Sequence, residues 1–109
     1  MKPQSTETKR VYSSLASDED LREIVELFVD EMPARLTKIE AEFFSQNWEN
    51  LQRTVHQLKG AAGSHGFYEI TPVVAHLEQL IRSRADIQEI TEAKESLIQL
   101  CHCVTSEVP

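Results

Sequence analysis

Residues 55–67 read VHQLKGAAGSHGF, and this stretch holds all three glycines of the chain, at positions 60, 63 and 66. Together with the residues just before it, the stretch has helical periodicity, with an apolar stripe formed by Leu51, Val55, Leu58 and Ala62. His56 falls roughly 130° from the centre of that stripe on a helical wheel. The pattern therefore predicts an amphipathic helix that presents His56 to solvent.

The glycines inside this predicted helix need a physical reason, because each costs about 1 kcal/mol relative to alanine. Close helix packing explains them poorly, since Gly60 and Gly63 fall on the exposed side, one and two turns after His56. The alternative is access, because without side chains at these positions another protein can close over the imidazole ring. We predict that Gly60 and Gly63 clear a docking face around His56.

Two basic residues flank His56, with Arg53 at i−3 and Lys59 at i+3. A phosphoryl group on the imidazole adds up to about two negative charges, and backbone N–H groups in mid-helix are already bonded. Side-chain cations must therefore stabilise such a group, and we predict Lys59 and Arg53 for this role. Histidine can accept such a phosphoryl group, because its ordinary pKa of about 6.5 leaves a neutral, nucleophilic nitrogen at cellular pH.

No Asp, Glu or Ser stands three or four residues from His56 on its own helix, so the pattern indicates no hydrolytic triad. His65, His76 and His102 lack a comparable Lys-Gly companion. We expect His65 to be packed or to cap the helix end.

The rest of the chain also has helical periodicity, without strand-like alternation. A first helix is expected to begin near Ser17 or Asp18, with an apolar stripe that keeps its phase through Pro33. Because proline cannot donate to the preceding turn, we predict a kink or a break near Pro33. The second helix should begin after Asn47, a favourable N-cap residue.

The third helix is predicted to start with Thr71 as its N-cap and to be followed by a turn at residues 83–86. The last helix should run to about Val104, and residues 11–15 should form a short N-terminal capping segment. Four amphipathic segments with short connections predict an all-α fold, an antiparallel up-down four-helix bundle.

Length and composition limit the function classes. The 109 residues suit one domain, which we divide into a flexible tail at residues 1–10 and a helical domain at residues 11–109. The net charge of −7 disfavours nucleic acid and anionic membranes as partners. We find no apolar run that could span a membrane and no signal peptide at the polar N-terminus. We therefore expect the chain to be located in the cytoplasm. We also expect it to be a monomer.

A possible metal motif occurs near the C-terminus, where Cys101, His102 and Cys103 are consecutive. Residues i and i+2 of a helix point in different directions, and no second ligand pair exists elsewhere in the chain. We therefore favour two small apolar side chains over a zinc site and predict no metal.

These residues together resemble the histidine-containing phosphotransfer (HPt) domain family. The resemblance rests on the motif HxLKG at residues 56–60, on AAGSHGF at residues 61–67, and on the helical layout. It implies a phosphotransfer protein of a two-component phosphorelay, with the phosphorylated histidine midway along the second helix of a bundle. His56 is the matching residue.

The resemblance also implies the partners and the cofactor. His56 would exchange its phosphoryl group with an aspartate of a response-regulator receiver domain, and a histidine kinase or the receiver of a hybrid kinase would be the other partner. The receiver would supply Mg²⁺ and the catalytic groups, so no cofactor is expected on this chain. The chain would be a stoichiometric carrier without its own ATP site, not an enzyme.

Many family members carry a polar residue on the third helix beside the histidine. By offset Glu78 falls at that place here, with Gln79 next to it, although a carboxylate there would repel a phosphoryl group. The motif also resembles the phosphoacceptor domain of chemotaxis-type histidine kinases, which often ends in Gly-Phe as residues 66–67 do. A third interpretation is a helical adaptor that is never phosphorylated.

Overall fold

The computed structural model describes residues 9–109, and residues 1–8 of the predicted tail lie outside this range. The described residues form an antiparallel four-helix bundle, which confirms the predicted all-α class. The helices are α1 (Arg22–Phe44), α2 (Trp48–Ser64), α3 (Thr71–Arg82) and α4 (Ile87–Cys101). Two short strands, β1 (Val11–Tyr12) and β2 (Val104–Thr105), pair in parallel, with Val11 opposite Val104.

The core forms where the apolar stripes of the four helices meet. In α2 the buried stripe contains the four predicted residues, so the opposite face of this helix is exposed to solvent. Helix α1 is continuous through Pro33, so of the predicted kink or break the break is absent. Its stripe keeps phase across the proline and buries Val25, Phe28, Met32, Leu36 and Ile39.

Three helices end in the same arrangement, in which two backbone N–H groups beyond the helix bond to the last carbonyls. In α2 the N–H of Phe67 donates to the carbonyl of Ala62 (2.9 Å), and that of Gly66 donates to Gly63 (3.2 Å). The turn requires a left-handed residue, and Gly66 has a φ of 80°. Helices α1 and α3 place Gln46 (φ 58°) and Arg84 (φ 56°) at the equivalent position.

Several predicted helix boundaries are wrong. Asp18 accepts from the N–H of Asp20 in a turn, and α1 begins only at Arg22. Thr71 is the first residue of α3, not its N-cap, which is Ile70. Helix α4 ends at Cys101, because the chain then turns and Val104 enters the strand pair. The Asn47 cap of α2 is confirmed, since its side chain accepts from the N–H of Asn50.

The predicted N-terminal capping segment packs on the C-terminal end of α2. The Ser13 hydroxyl donates to the carbonyl of His65 (2.6 Å), and the N–H of Ser14 donates to that of Gly66 (2.9 Å). Lys9 forms an ion pair with Glu69 just before this segment. The segment therefore stabilises the end of the helix that carries His56.

Helices α1 and α4 are connected by a buried lysine. The Lys94 ammonium contacts Glu40 (2.5 Å) and Glu95 (2.9 Å) and lies 4.6 Å from the centre of the Phe43 ring. Burial opposes the charge, but the hydrogen bonds from Lys94 to the two carboxylates outweigh burial and raise its pKa.

Within residues 9–109, no helix combines the length and the apolar character that crossing a membrane requires.

Candidate functional site

His56 lies midway along α2, on the face opposite the core. Its side chain is 65% exposed, as the wheel predicts for this position. The Nδ1 atom of the ring lies 2.8 Å from Oε2 of Glu78 on α3. One ring nitrogen is therefore engaged by the neighbouring helix.

Glu78 is a buried carboxylate, with only 5% of its side chain exposed. Its two oxygens have different partners, because Oε2 contacts His56 and Oε1 contacts the ammonium of Lys59 at 2.7 Å. Burial on its own raises the pKa of a carboxyl group, but the hydrogen bonds from Lys59 and His56 outweigh it and hold the pKa of Glu78 below 4.5. Glu78 is therefore ionised at neutral pH.

Lys59 lies on the side of α2 that faces α3, with a third of its side chain exposed. Its ammonium reaches Glu78, so in this conformation its charge neutralises the buried carboxylate. Three residues from two helices thus form one connected group, which we call the His56–Glu78–Lys59 cluster. A charge in the protein interior needs such a partner, since an unpaired buried charge is strongly destabilising.

Gly60 and Gly63 lie one and two turns beyond His56 on the same helix. A Cβ atom added at either position meets no other atom within 4 Å. The fold itself therefore does not require a glycine at either place. Gly66 differs, because a Cβ there would lie 2.7 Å from the Ser13 hydroxyl oxygen.

The remaining candidate residues lie near the cluster but do not join it. Arg53 is exposed, and its guanidinium donates to the side chain of Asn50 at 2.8 Å. Gln79 follows Glu78 on α3 and is exposed. In the described part of the chain, neither Arg53 nor Gln79 forms a hydrogen bond with His56.

The other histidines have ordinary positions. His65 is the C-cap of α2, and its ring stacks on Phe28 with centroids 5.1 Å apart, which confirms the prediction of a packed or capping residue. His76 and His102 are exposed and belong to no ion pair in residues 9–109.

The two cysteines do not form a metal cluster. Cys101 is buried, and burial raises the pKa of its thiol to about 12. Cys103 is partly exposed, and its sulfur donates to the carbonyl of Gln99. The structure has no group of three or more His, Cys, Asp or Glu side chains in residues 9–109 that is arranged to hold a metal ion.

Sequence reasoning confined to one helix missed the partner of His56. No carboxylate stands within a turn of His56 in the sequence, and Glu78 is 22 residues away. The offset on the third helix supplied the signal instead, because it puts Glu78 at a polar position of the resembling family, beside the histidine.

A sequence model of the Hpt domain matches residues 23–105, which is most of the chain. The chain belongs to the Hpt domain family. Comparisons with curated proteins and with solved structures give no significant match. Hpt domains are phosphocarrier modules of two-component signalling that interact with receiver domains and kinases. This Hpt domain therefore has a phosphotransfer role, and its bundle is the one that the sequence predicts.

Proposed function

We propose that this Hpt domain accepts a phosphoryl group on Nε2 of His56 and exchanges it with an aspartate of a response-regulator receiver domain. The observation that carries the proposal is the contact between Nδ1 of His56 and the buried carboxylate of Glu78. This contact leaves Nε2 as the free nitrogen on a ring that is mostly exposed.

The contact selects the tautomer of the ring. An ionised carboxylate can only accept hydrogen bonds, so Nδ1 must carry the proton that it donates to Glu78. In the neutral ring the lone pair then belongs to Nε2, because the tautomer is set by the hydrogen bond that the other nitrogen makes. Glu78 therefore both orients the ring and makes the exposed nitrogen the nucleophile.

The transfer step follows from this arrangement. The lone pair of Nε2 attacks the phosphorus of an aspartyl phosphate on the receiver. The N–P bond forms as the O–P bond to the aspartate breaks, and the electron pair of that bond leaves with the carboxylate. The proton on Nδ1 stays in place, and Glu78 balances the positive charge that develops on the ring. The reverse sequence returns the phosphoryl group to the receiver.

Lys59 supports the phosphorylated state mainly through Glu78. A lone carboxylate beside a phosphoryl group would repel it, but the ion pair with Lys59 removes most of that net charge. Arg53 donates to Asn50 through one nitrogen of its guanidinium, and its role toward the phosphoryl group stays a prediction.

The remaining parts of the proposal concern the partner and the setting. The receiver supplies Mg²⁺ and the groups that stabilise the transition state, so His56 acts as a stoichiometric carrier without an ATP site of its own. A histidine kinase or the receiver of a hybrid kinase loads the relay. A monomer in the cytoplasm remains our expectation from the sequence.

Chemical labelling tests the acceptor. In two separate reactions the protein is incubated with phosphoramidate, a small phosphoryl donor, and with a phosphorylated receiver. We expect acid-labile, base-stable label on His56 in both reactions, and no label from the receiver in His56→Gln. Only the receiver reaction is specific, because phosphoramidate also has access to the exposed His76 and His102. The matched control is His76→Gln, which alters another exposed histidine and should retain full labelling from the receiver.

Two results would contradict the proposal. Label from the phosphorylated receiver that persists in His56→Gln would place the acceptor elsewhere. The absence of label in the unaltered protein would favour a helical adaptor that is never phosphorylated. If phosphoramidate labels His56 but the only protein donor is an ATP-binding kinase domain, the chain is the phosphoacceptor domain of a chemotaxis-type kinase.

A further inference from the structure

An open groove of about 720 Å³ lies between the first turn of α2, the end of α3 and the start of α4. Its apolar lining includes Trp48, Ile81, Ile87 and Ile90. Ile87 leaves apolar surface open to the groove, since 53% of it is exposed. Such a concave apolar surface suits the insertion of a partner's side chain.

The groove adjoins the His56–Glu78–Lys59 cluster on both helices. Gln52 lines the groove and lies one helical turn before His56, while Arg82 lines it and lies one turn after Glu78. Four helical residues span about 6 Å. A partner of standard size covers about 800 Å² on each protein, so a protein seated over His56 readily reaches the groove.

The rim is positive on the α3–α4 side, whereas Glu49 lines the groove on the α2 side. Arg82 and Arg84 line the groove, are exposed, and form no ion pair within residues 9–109. Arg84 has a φ of 56°, a conformation that glycine adopts more easily. A partner with carboxylates on the surface beside its reacting site complements this side of the rim, and charge complementarity of this kind increases the association rate.

We propose that this groove, lined by Trp48, Ile81, Ile87, Ile90, Arg82 and Arg84, is a docking site for the receiver domain that exchanges phosphoryl groups with His56. An apolar side chain on the receiver surface enters beside Ile87. Carboxylates that lie outside the receiver's Mg²⁺ site pair with Arg82 and Arg84. This inference rests on the proposed function of His56.

Transfer kinetics test the groove. The probe is a purified receiver domain that transfers its phosphoryl group to the unaltered protein, and the variants are Ile87→Ser, Arg82→Glu and Arg84→Gly. Each variant is first labelled with phosphoramidate, which needs no docking and reports an intact His56. We expect the second-order rate of transfer to fall by about tenfold in each groove variant, a loss smaller than that of the strongest hot-spot residues of an interface. The rate should also depend less on salt in the two arginine variants.

Arg84→Gly keeps the test decisive if another variant fails to fold, because glycine suits the backbone at this position. The matched controls are Leu27→Ser and Arg22→Glu, exposed residues of α1 that do not line the groove. Unchanged transfer in Arg84→Gly and Arg82→Glu would overturn the proposal that the receiver docks in the groove, as would an equal loss in the controls. Failure of phosphoramidate to label His56 would instead overturn the proposed function.

Discussion

Oε2 of Glu78 lies 2.8 Å from Nδ1 of His56, although the two residues belong to different helices. The contact joins a buried carboxylate to an exposed imidazole, and Lys59 balances the charge from the other side. In the proposed transfer, Glu78 orients the ring from its buried side, and the solvent side of the ring stays open to a partner. This division suits a carrier, because the catalytic groups can come from the partner.

The role of Glu78 can be measured with Glu78→Gln. The amide still accepts a hydrogen bond from Nδ1, but it no longer balances the positive charge on the ring. We expect phosphoramidate to label His56 more slowly by about tenfold to a hundredfold, the range typical of residues that orient a functional histidine. Gln79→Ala, a change at the exposed neighbour, should label at the normal rate. An unchanged rate in Glu78→Gln would show that the carboxylate does not activate the ring.

The ion pair between Glu78 and Lys59 should make the free energy of unfolding depend on pH. The pKa of Glu78 is lowered in the folded protein, so its contribution to folding is fully present above its ordinary pKa of 4.5. This contribution is lost as the pH falls through the lower pKa of the folded state. At about pH 7 we expect Glu78→Gln to lower the free energy of unfolding by about 1–3 kcal/mol.

Urea unfolding of both proteins from about pH 7 down to about pH 3 checks this prediction. The difference between them should shrink in the acidic part of the range, where Glu78 becomes protonated and resembles glutamine. A difference that stays constant over the whole range would mean that the charge of Glu78 does not stabilise the fold.

The sequence predicts well those features that depend on neighbours along the chain. The stripe of α2, the exposure of His56 and the Asn47 cap all follow from helical periodicity and local hydrogen bonding. The errors have two causes, a competing local turn and a long-range strand pair. Asp18 is a favourable helix cap, but its carboxylate closes a turn before α1. Val104 continues the apolar period of α4, but it pairs with Val11 from the other end of the chain.

The cluster was only partly predictable, because it too depends on a long-range contact. Lys59 and His56 are one turn apart on α2, so their proximity follows from the sequence. The position of Glu78 depends on how α3 packs against α2, and helical periodicity does not determine that. The left-handed conformations of Gln46 and Arg84 could not be predicted from the sequence either, because neither residue is the glycine that normally signals such a turn.

The N-terminal capping segment should be worth a measurable part of the stability. Ser13 is buried, and its hydroxyl donates to the carbonyl of His65 and accepts from the N–H of Leu15. Ser13→Ala leaves that carbonyl without its side-chain donor, so we expect a loss of about 1–2 kcal/mol in the free energy of unfolding. Ser14→Ala, which removes an exposed hydroxyl next to it, should change stability by less than about 0.5 kcal/mol. Equal effects of the two changes would contradict the role of the buried hydrogen bond.

The three glycines should respond differently to alanine. Gly60→Ala and Gly63→Ala place a methyl group in open space within a helix, so each should stabilise the protein by about 0.5–1 kcal/mol. Gly66→Ala should destabilise it, because the backbone is left-handed and the new Cβ meets Ser13. Thermal or urea unfolding of the three variants gives these signs. A loss of stability in Gly60→Ala would mean that the glycine serves the fold.

A larger side chain at position 60 separates folding from docking. Gly60→Leu and Gly60→Glu should keep the bundle, because no atom lies within 4 Å of the new Cβ. Both should still accept label from phosphoramidate, since this small donor reaches Nε2 without a protein surface. Transfer from a phosphorylated receiver should fall by about tenfold or more, because a leucine one turn from His56 holds the partner away. Normal transfer in a folded, labelled Gly60→Leu protein would mean that Gly60 does not clear the docking face.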